Sequence, residues 1–395
     1  MTPADPFLSR IDAALEQRAA SHLLRQRTSV RRLPKARIEV DGKQYHHFCS
    51  NDYLGLAEHP QVLNAWQQGL VQHGGGSGAS PLVTGHHHAH AQLESTLCQW
   101  LGFEQALLFS SGFAANQAVL LALLDNGDLL LQDRLNHASL QEAGSLGDAT
   151  MKRFRHNDLT HLETLLRNNA DNAPTLVVTE GVFSMDGDCA PLAEIQHLCQ
   201  AHNAWLMVDD AHGLGVLGRH GKGSCDAAGI QPDLLIVTFG KALGGSGAAV
   251  LCKKPIADYL LQRARHLIYS TALPPAQADA VSAAIEVIKS DPKPYAYISE
   301  LKARFLAKLD NEIPVAASDS PILPLIVGSS EAAVMLSDKL KDAGFWVSAI
   351  RPPTVPKGSA RLRITLSASH SNTQVDALAD AINALWHSLP LKECQ

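Results

Sequence analysis

DLLIVTFGKALGG, residues 233–245, decides how the rest of the chain is read. Leu234 to Val237 form an unbroken apolar run. A half-solvated strand alternates, whereas a strand covered on both faces reads as continuous apolar sequence. The run ends in Thr238-Phe239-Gly240-Lys241, which sets a hydroxyl and an amine on a glycine-flanked turn. In open parallel sheets ligands sit beyond the carboxyl ends of the strands. The chemistry is therefore sought in whatever follows each run of this kind.

Six more runs share the pattern, at 106–110, 128–132, 149–154, 175–180, 204–209 and 247–252, with helical patterns between most of them. Strand–helix alternation predicts an α/β fold with right-handed crossovers and a mostly parallel sheet of seven strands. Three of the runs end in polar sequence. Ser111-Gly112-Phe113 follows the first and opens an apolar helix. Backbone N–H groups at a helix start bind anions, and glycine permits close approach. The fourth ends in Glu180-Gly181-Val182-Phe183-Ser184-Met185-Asp186, and the fifth, AWLMVD, enters Asp209-Asp210-Ala211-His212-Gly213.

A lysine amine with a lowered pKa attacks carbonyls, and pyridoxal phosphate needs such a Schiff-base lysine plus an acid opposite its ring nitrogen. Lys241 with an Asp at 209 or 210 meets that need, Gly112 and Phe113 offer the phosphate turn, and Thr238 adds a hydroxyl. Plainer readings stand beside each. Lys241 is also a solvated loop lysine, Asp209 a helix cap, and Ser184 and Asp186 turn residues. His212 is also a satisfied buried histidine, and period-two alternation does not choose between Asp209 and Asp210.

The remaining sequence gives three blocks. Residues 1–59 hold an amphipathic helix pattern (Leu8, Ile11, Leu15, Leu23) and a hairpin at 36–49 around Asp41-Gly42. Residues 60–275 form the large α/β domain. Residues 276–395 read as a smaller α+β domain, with a helix at 276–289, strands at 322–327 and 346–350, and RLRITL at 361–366 as a half-solvated strand.

Composition narrows the function classes. The chain has 395 residues, 46% apolar and 18% charged, with a formal charge of −6. No basic block suits it to nucleic acid, and no apolar run approaches the roughly 18–20 residues that span a bilayer. Seven cysteines without a C-x-x-C pair and a start without a secretory pattern lead us to expect a cytoplasmic protein with reduced thiols. Nineteen histidines, four of them at 86, 87, 88 and 90, raise metal binding as an alternative. Adjacent histidines do not point one way in a regular element, so no metal site is assigned.

Thr238-Phe239-Gly240-Lys241 and Asp209-Asp210-Ala211-His212-Gly213, read together, resemble the α-oxoamine synthases, pyridoxal-phosphate enzymes of the aspartate aminotransferase fold (fold type I). The likeness extends to Ser50-Asn51-Asp52-Tyr53-Leu54-Gly55, Gly76-Ser77-Gly78, Asn136-His137-Ala138-Ser139 and Thr179 to Asp188. His266 to Thr271 and Ile350 to Pro356 most resemble the branch that condenses L-alanine with a pimeloyl thioester in biotin synthesis. The alternative is a glycine-using sister of the 2-amino-3-ketobutyrate ligase or 5-aminolevulinate synthase type.

The resemblance implies Lys241 as the Schiff-base lysine, Asp209 at the pyridine nitrogen, His212 at the phenolic oxygen and His137 stacked over the ring. It implies Ser184 and Thr238 as cofactor contacts, and Gly112 and Phe113 as the phosphate turn. Arg351, with Thr354 nearby, would take the amino-acid carboxylate. Arg25 and Asn51 would lie on the substrate side. The family is homodimeric, so Thr271 and the 74–80 loop would come from the neighbouring chain. The acyl carrier, coenzyme A or acyl carrier protein, stays open. His90 fits the family pattern G-x-x-x-x-H-x-x-L-E, while His86 to His88 do not belong to it.

Overall fold

The computed structural model describes residues 5–21, 23–169, 173–291 and 293–388. The chain divides into two compact units. The larger is Asn51–Glu300 with Ala317–Pro321, and the smaller is Met1–Ser50, Leu301–Ala316 and Ile322–Gln395. These borders differ from those drawn at 59/60 and 275/276. The N-terminal hairpin is no separate segment, because Lys43–His47 pairs in parallel with Phe345–Trp346, His46 opposite Phe345. Helix Pro275–Ser290 belongs to the larger unit, where it packs against Pro60–His73. The approach is close enough that a Cβ on Gly69 would stand 2.7 Å from Ala276 Cα.

The larger unit is built on a sheet of β1 (Gln105–Phe109), β2 (Leu129–Asp133), β3 (Thr150–Phe154), β4 (Thr175–Glu180), β5 (Trp205–Asp209), β6 (Leu234–Thr238) and β7 (Ala248–Cys252). Their order is β1-β7-β6-β5-β4-β2-β3. Every bound lies within one residue of the sequence expectation. β2 to β6 run parallel, whereas β7 is antiparallel to both neighbours, Ala248 facing Thr238 on one side and Phe109 on the other. The connection from β6 to β7 is residues 239–247. A parallel return needs a crossover of a dozen or more residues, so this short link forces the reversed strand.

Helix α1 (Gly112–Leu123) lies on the sheet with Ala115, Val119 and Leu120 buried against Leu107, Ile236 and Val250. Burying a Val or Leu side chain such as Val119 or Leu120 is worth about 1.5–3 kcal/mol before conformational entropy is counted. That burial fixes the N-terminus of α1 over the ends of β1 and β6.

The smaller unit corrects one expectation. Ala360–Thr365 is buried at every position rather than on one face, with Arg361 and Arg363 only 5% and 7% exposed. It is the middle strand of three, between Ile322–Gly328 and Ser348–Ile350. The alternating arginines look like a solvated face, but neither is without a partner, and Arg361 Nε donates to Ser359 O at 3.0 Å.

One charged contact ties the strand ends together. His156, just past β3, donates from Nδ1 to Asp133 Oδ1 at 3.1 Å and from Nε2 to Asp188 Oδ2 at 2.8 Å. Burial alone would lower its pKa, but the two carboxylates outweigh burial and hold it at about 9. The folded-state value is raised, so the stabilisation is complete below the reference 6.5 and fades as pH climbs through about 9. His156→Gln is therefore expected to destabilise the protein by roughly 2 kcal/mol at low pH, allowing for solvent screening. The gap in urea midpoint between variant and wild type shrinks as pH rises past about 9. A gap that widened with pH would refute the assignment.

Candidate active site

Lys241, Asp209, His212, His137, Thr238, Gly112 and Phe113 line one cavity of about 300 Å³ at the carboxyl ends of the sheet. β5 delivers Asp209, β6 delivers Thr238, and the 239–247 link delivers Lys241. Glu180 at the end of β4 stands in register with Asp209.

The structure separates the two adjacent acids, Asp209 as the last residue of β5 and Asp210 as the first residue beyond it. Asp209 turns into the cavity. Its Oδ2 accepts from Asn116 Nδ2 at 2.7 Å and its Oδ1 accepts from the Ala211 N–H at 3.1 Å. Asp210 turns away and is fully buried. It accepts the Ser224 N–H at 2.7 Å and the Ser224 hydroxyl at 2.5 Å. Gly181, Gly213 and Gly223 leave the room it needs, since a Cβ on any of them would collide with its carboxylate. Burial pushes Asp210 up to about 7, with the Ser224 bonds opposing.

His212 Nδ1 lies 2.6 Å from the hydroxyl of the fully buried Tyr53, and Asn51 Oδ1 lies 3.4 Å from that same oxygen. His137 precedes helix α2 (Ala138–Leu146) and meets Phe113 edge to face at 6.3 Å. Desolvation by the cavity walls lowers the His137 pKa. Asp209 opposes this and Lys241 reinforces it. Glu180 is held well above the usual carboxylate range, first by burial and then by the nearby Asp209.

The phosphate turn passes a test of fit. Ser111 caps α1 by accepting the Ala114 N–H at 3.1 Å. Thr238 Oγ1 is buried without a partner, a vacant hydroxyl beside a helix N-terminus. Gly112 packs on Thr238 so closely that a Cβ there would lie 2.6 Å from Thr238 Cγ2. An unpaired hydroxyl, free helix N–H groups and a bare glycine suit a phosphate group.

Other expected residues lie elsewhere. Ser184 is half-buried in the loop after β4 and does not line this cavity. Thr271 lines a different cavity of about 280 Å³. Arg25, Arg351 and Thr354 belong to the smaller unit, where the Thr354 N–H donates to Arg351 O at 3.1 Å. In the histidine cluster, His86 and His88 are exposed and His87 is half-buried. His90 is buried, accepts the His87 N–H on Nδ1 at 2.9 Å and donates from Nε2 to Leu273 O at 2.6 Å. Among the described residues no group of three His, Cys, Asp or Glu could hold a metal. Six cysteines are free thiols, and Cys394 lies outside the described residues.

Sequence reasoning missed Asn116, Tyr53 and Glu180 as site residues. Asn116 did leave a signal, as an amide inside the otherwise apolar AANQAVLLALL.

The model of the aminotransferase class I and II family matches residues 43–382. The chain belongs to this family. The 8-amino-7-oxononanoate synthase of Aliivibrio fischeri (strain ATCC 700601 / ES114) is 57% identical over 89% of this chain and 91% of its own length. Among solved structures, the serine palmitoyltransferase of Sphingomonas wittichii superposes with a TM-score of 0.91 at 30% identity, over 97% of this chain and all of its own. That of S. paucimobilis with bound PLP and myriocin gives 0.92 at 26% identity, over 97% of this chain and 99% of its own. The family resemblance and the fold expected from the motifs are borne out. The cofactor of this class I and II aminotransferase fold is pyridoxal phosphate.

The two acids should behave differently. Asp209→Asn is expected to keep the thermal midpoint and lose cofactor chemistry. Asp210→Ala leaves the buried Ser224 N–H and hydroxyl unpaired and should lower stability by about 1–3 kcal/mol. Gly112→Ala is expected to weaken pyridoxal phosphate binding at least about tenfold in a spectroscopic titration, the scale of one lost phosphate contact. Equal effects of the two Asp variants on stability and on binding would overturn the division.

Proposed function

We propose that the protein catalyses the decarboxylative condensation of L-alanine with a pimeloyl thioester, giving 8-amino-7-oxononanoate, carbon dioxide and the free thiol carrier, a step of biotin synthesis. The observation that carries this reading is the convergence of Lys241, Asp209, His212 and His137 on one cavity with a phosphate turn. The curated relatives of that name, alike over most of their length, support the choice of substrates over the glycine-using alternative.

When bound, pyridoxal phosphate supplies an electron sink for the charge left on the amino-acid α-carbon. Thr238 Oγ1 and the N–H groups at the start of α1 hold the phosphate. As a carboxylate, Asp209 would keep a proton on the ring nitrogen, and His212 would hold the phenolic oxygen. Lys241 Nζ would hold the cofactor in the resting protein and would act as a base once its amine is free. The freed amine then takes the α-proton of alanine. The α-carbon bonds to the thioester carbonyl carbon and the thiol leaves. The alanine carboxylate departs as carbon dioxide, and Lys241 returns a proton to the same carbon.

Arg351 captures the amino-acid carboxylate through paired N–H···O bonds, with Thr354 beside it. Arg25 and Asn51 serve the substrate side. The working form is a cytoplasmic homodimer, with Thr271 and the 74–80 loop reaching the neighbouring active site. Coenzyme A and acyl carrier protein remain the two carriers to compare.

Purified protein supplied with pyridoxal phosphate, L-alanine and pimeloyl-CoA or pimeloyl-acyl carrier protein is expected to release thiol and carbon dioxide in equal amounts. Mass spectrometry should find the amino ketone acid. Lys241→Ala should lower kcat by at least about 10²–10⁴, the usual share of a positioned base. Faster turnover of glycine with acetyl- or succinyl-CoA would overturn the substrate assignment.

A further inference from the structure

A chain of hydrogen bonds runs from Asp209 to His137, and its direction can be worked out. Asn116 is 1% exposed, and its Nδ2 lies 2.7 Å from Asp209 Oδ2 and 3.0 Å from Ser139 Oγ. A carboxylate only accepts, so the amide nitrogen, not the amide oxygen, faces Asp209. Its second hydrogen goes to Ser139 Oγ. Ser139 is fully buried and thus accepts from Asn116, keeping its own hydrogen for its other neighbour. That neighbour is His137 Nδ1, at 2.8 Å. The Ser139 backbone N–H also points to Nδ1, at 3.3 Å.

His137 Nδ1 therefore meets two donors. A nitrogen in that position must accept, and a neutral imidazole then carries its proton on the opposite nitrogen. The groups facing the ring are Asp209, Lys241 and, through the His137 main chain, Glu180. Desolvation and the Lys241 amine both favour the neutral ring.

We propose that Asn116 and Ser139 lock His137 as a neutral imidazole with its single proton on Nε2, so that His137 donates a hydrogen bond to substrate oxygen and is not a base. Asn116 and Ser139 are positioning residues, and His137 is the group that meets substrate. This deepens the function proposed above and rests on it for the identity of the oxygen, which is the amino-acid carboxylate or the thioester carbonyl. A donor aimed at oxygen that gains charge during acyl transfer assists the reaction most where that charge develops. The arrangement also gives Asp209 a second task. Its charge orients the Asn116 amide and so sets the direction of every bond up to His137.

The test is nitrogen NMR of the holoenzyme labelled with [15N]histidine, with the His137 ring assigned by its loss in His137→Gln. A pyridine-like Nδ1 and a pyrrole-like Nε2 at neutral pH are expected. Two pyrrole-like nitrogens, or a proton on Nδ1, would overturn the proposal in wild-type protein without any further variant. Ser139→Ala should admit the Nδ1–H form and lower kcat about tenfold or less, the scale of one neutral hydrogen bond, with cofactor affinity kept. Ser139→Cys, a weak donor of similar size, should recover part of both. An unchanged His137 signal in Ser139→Ala overturns the role of Ser139. The ring signals do not depend on which thioester is turned over, so a failed substrate assay and a failed tautomer assignment are told apart.

Discussion

The link between β6 and β7 is too short to cross the sheet, and much of the site follows from that. It forces β7 to run backwards between β6 and β1. It also leaves Lys241 at the open end of the sheet, above the strand ends, instead of carrying it away along a crossover helix. The inserted β7 separates β1 from β6 by two interstrand spacings, about 10 Å. The start of α1 spans that gap, because Gly112 has no side chain to hold it off Thr238. The phosphate turn, the hydroxyl and the amine are thereby set by one topological constraint.

The second determinant is the choice between adjacent acids. Asp209 and Asp210 have the same chemistry, but Asp209 closes β5 while Asp210 lies just beyond it and is drawn to Ser224. Asp210 is spent on the fold, bonded to Ser224 within a shell of glycines. Asp209 is left for the cavity, with the Asn116 amide holding one of its oxygens. The glycines of this region matter more for the buried acid they surround than for any bend in the chain.

The large sheet was legible because strands covered on both faces carry no alternation to confuse them, and polar or glycine-rich turns bracket most of the runs. Strand-end chemistry was legible for the same reason, since Lys241, Thr238 and His212 stand in polar turns. Asn116 and Tyr53 were harder to see because their partners are far along the chain, Asp209 and His212 respectively. The strand at 360–365 misled because arginine is read as solvated, yet a guanidinium with enough partners can be buried. The histidines at 86–90 misled by number. Only His90 is deeply placed, and main-chain groups satisfy both of its nitrogens.

The order of the strands also governs when the site can exist during synthesis. Among the described residues β1 pairs only with β7, Gln105 against Cys252. While a nascent chain is still short of that point, β1 has no strand to lie against, and the helix that follows it has no floor. Strands β2 to β6 pair among themselves and are complete sooner. Partnerships so distant along the chain form late, because the loop entropy must be overcome before they contribute. The phosphate turn, encoded early in the large unit, is thus among the last parts of it to take shape on the ribosome.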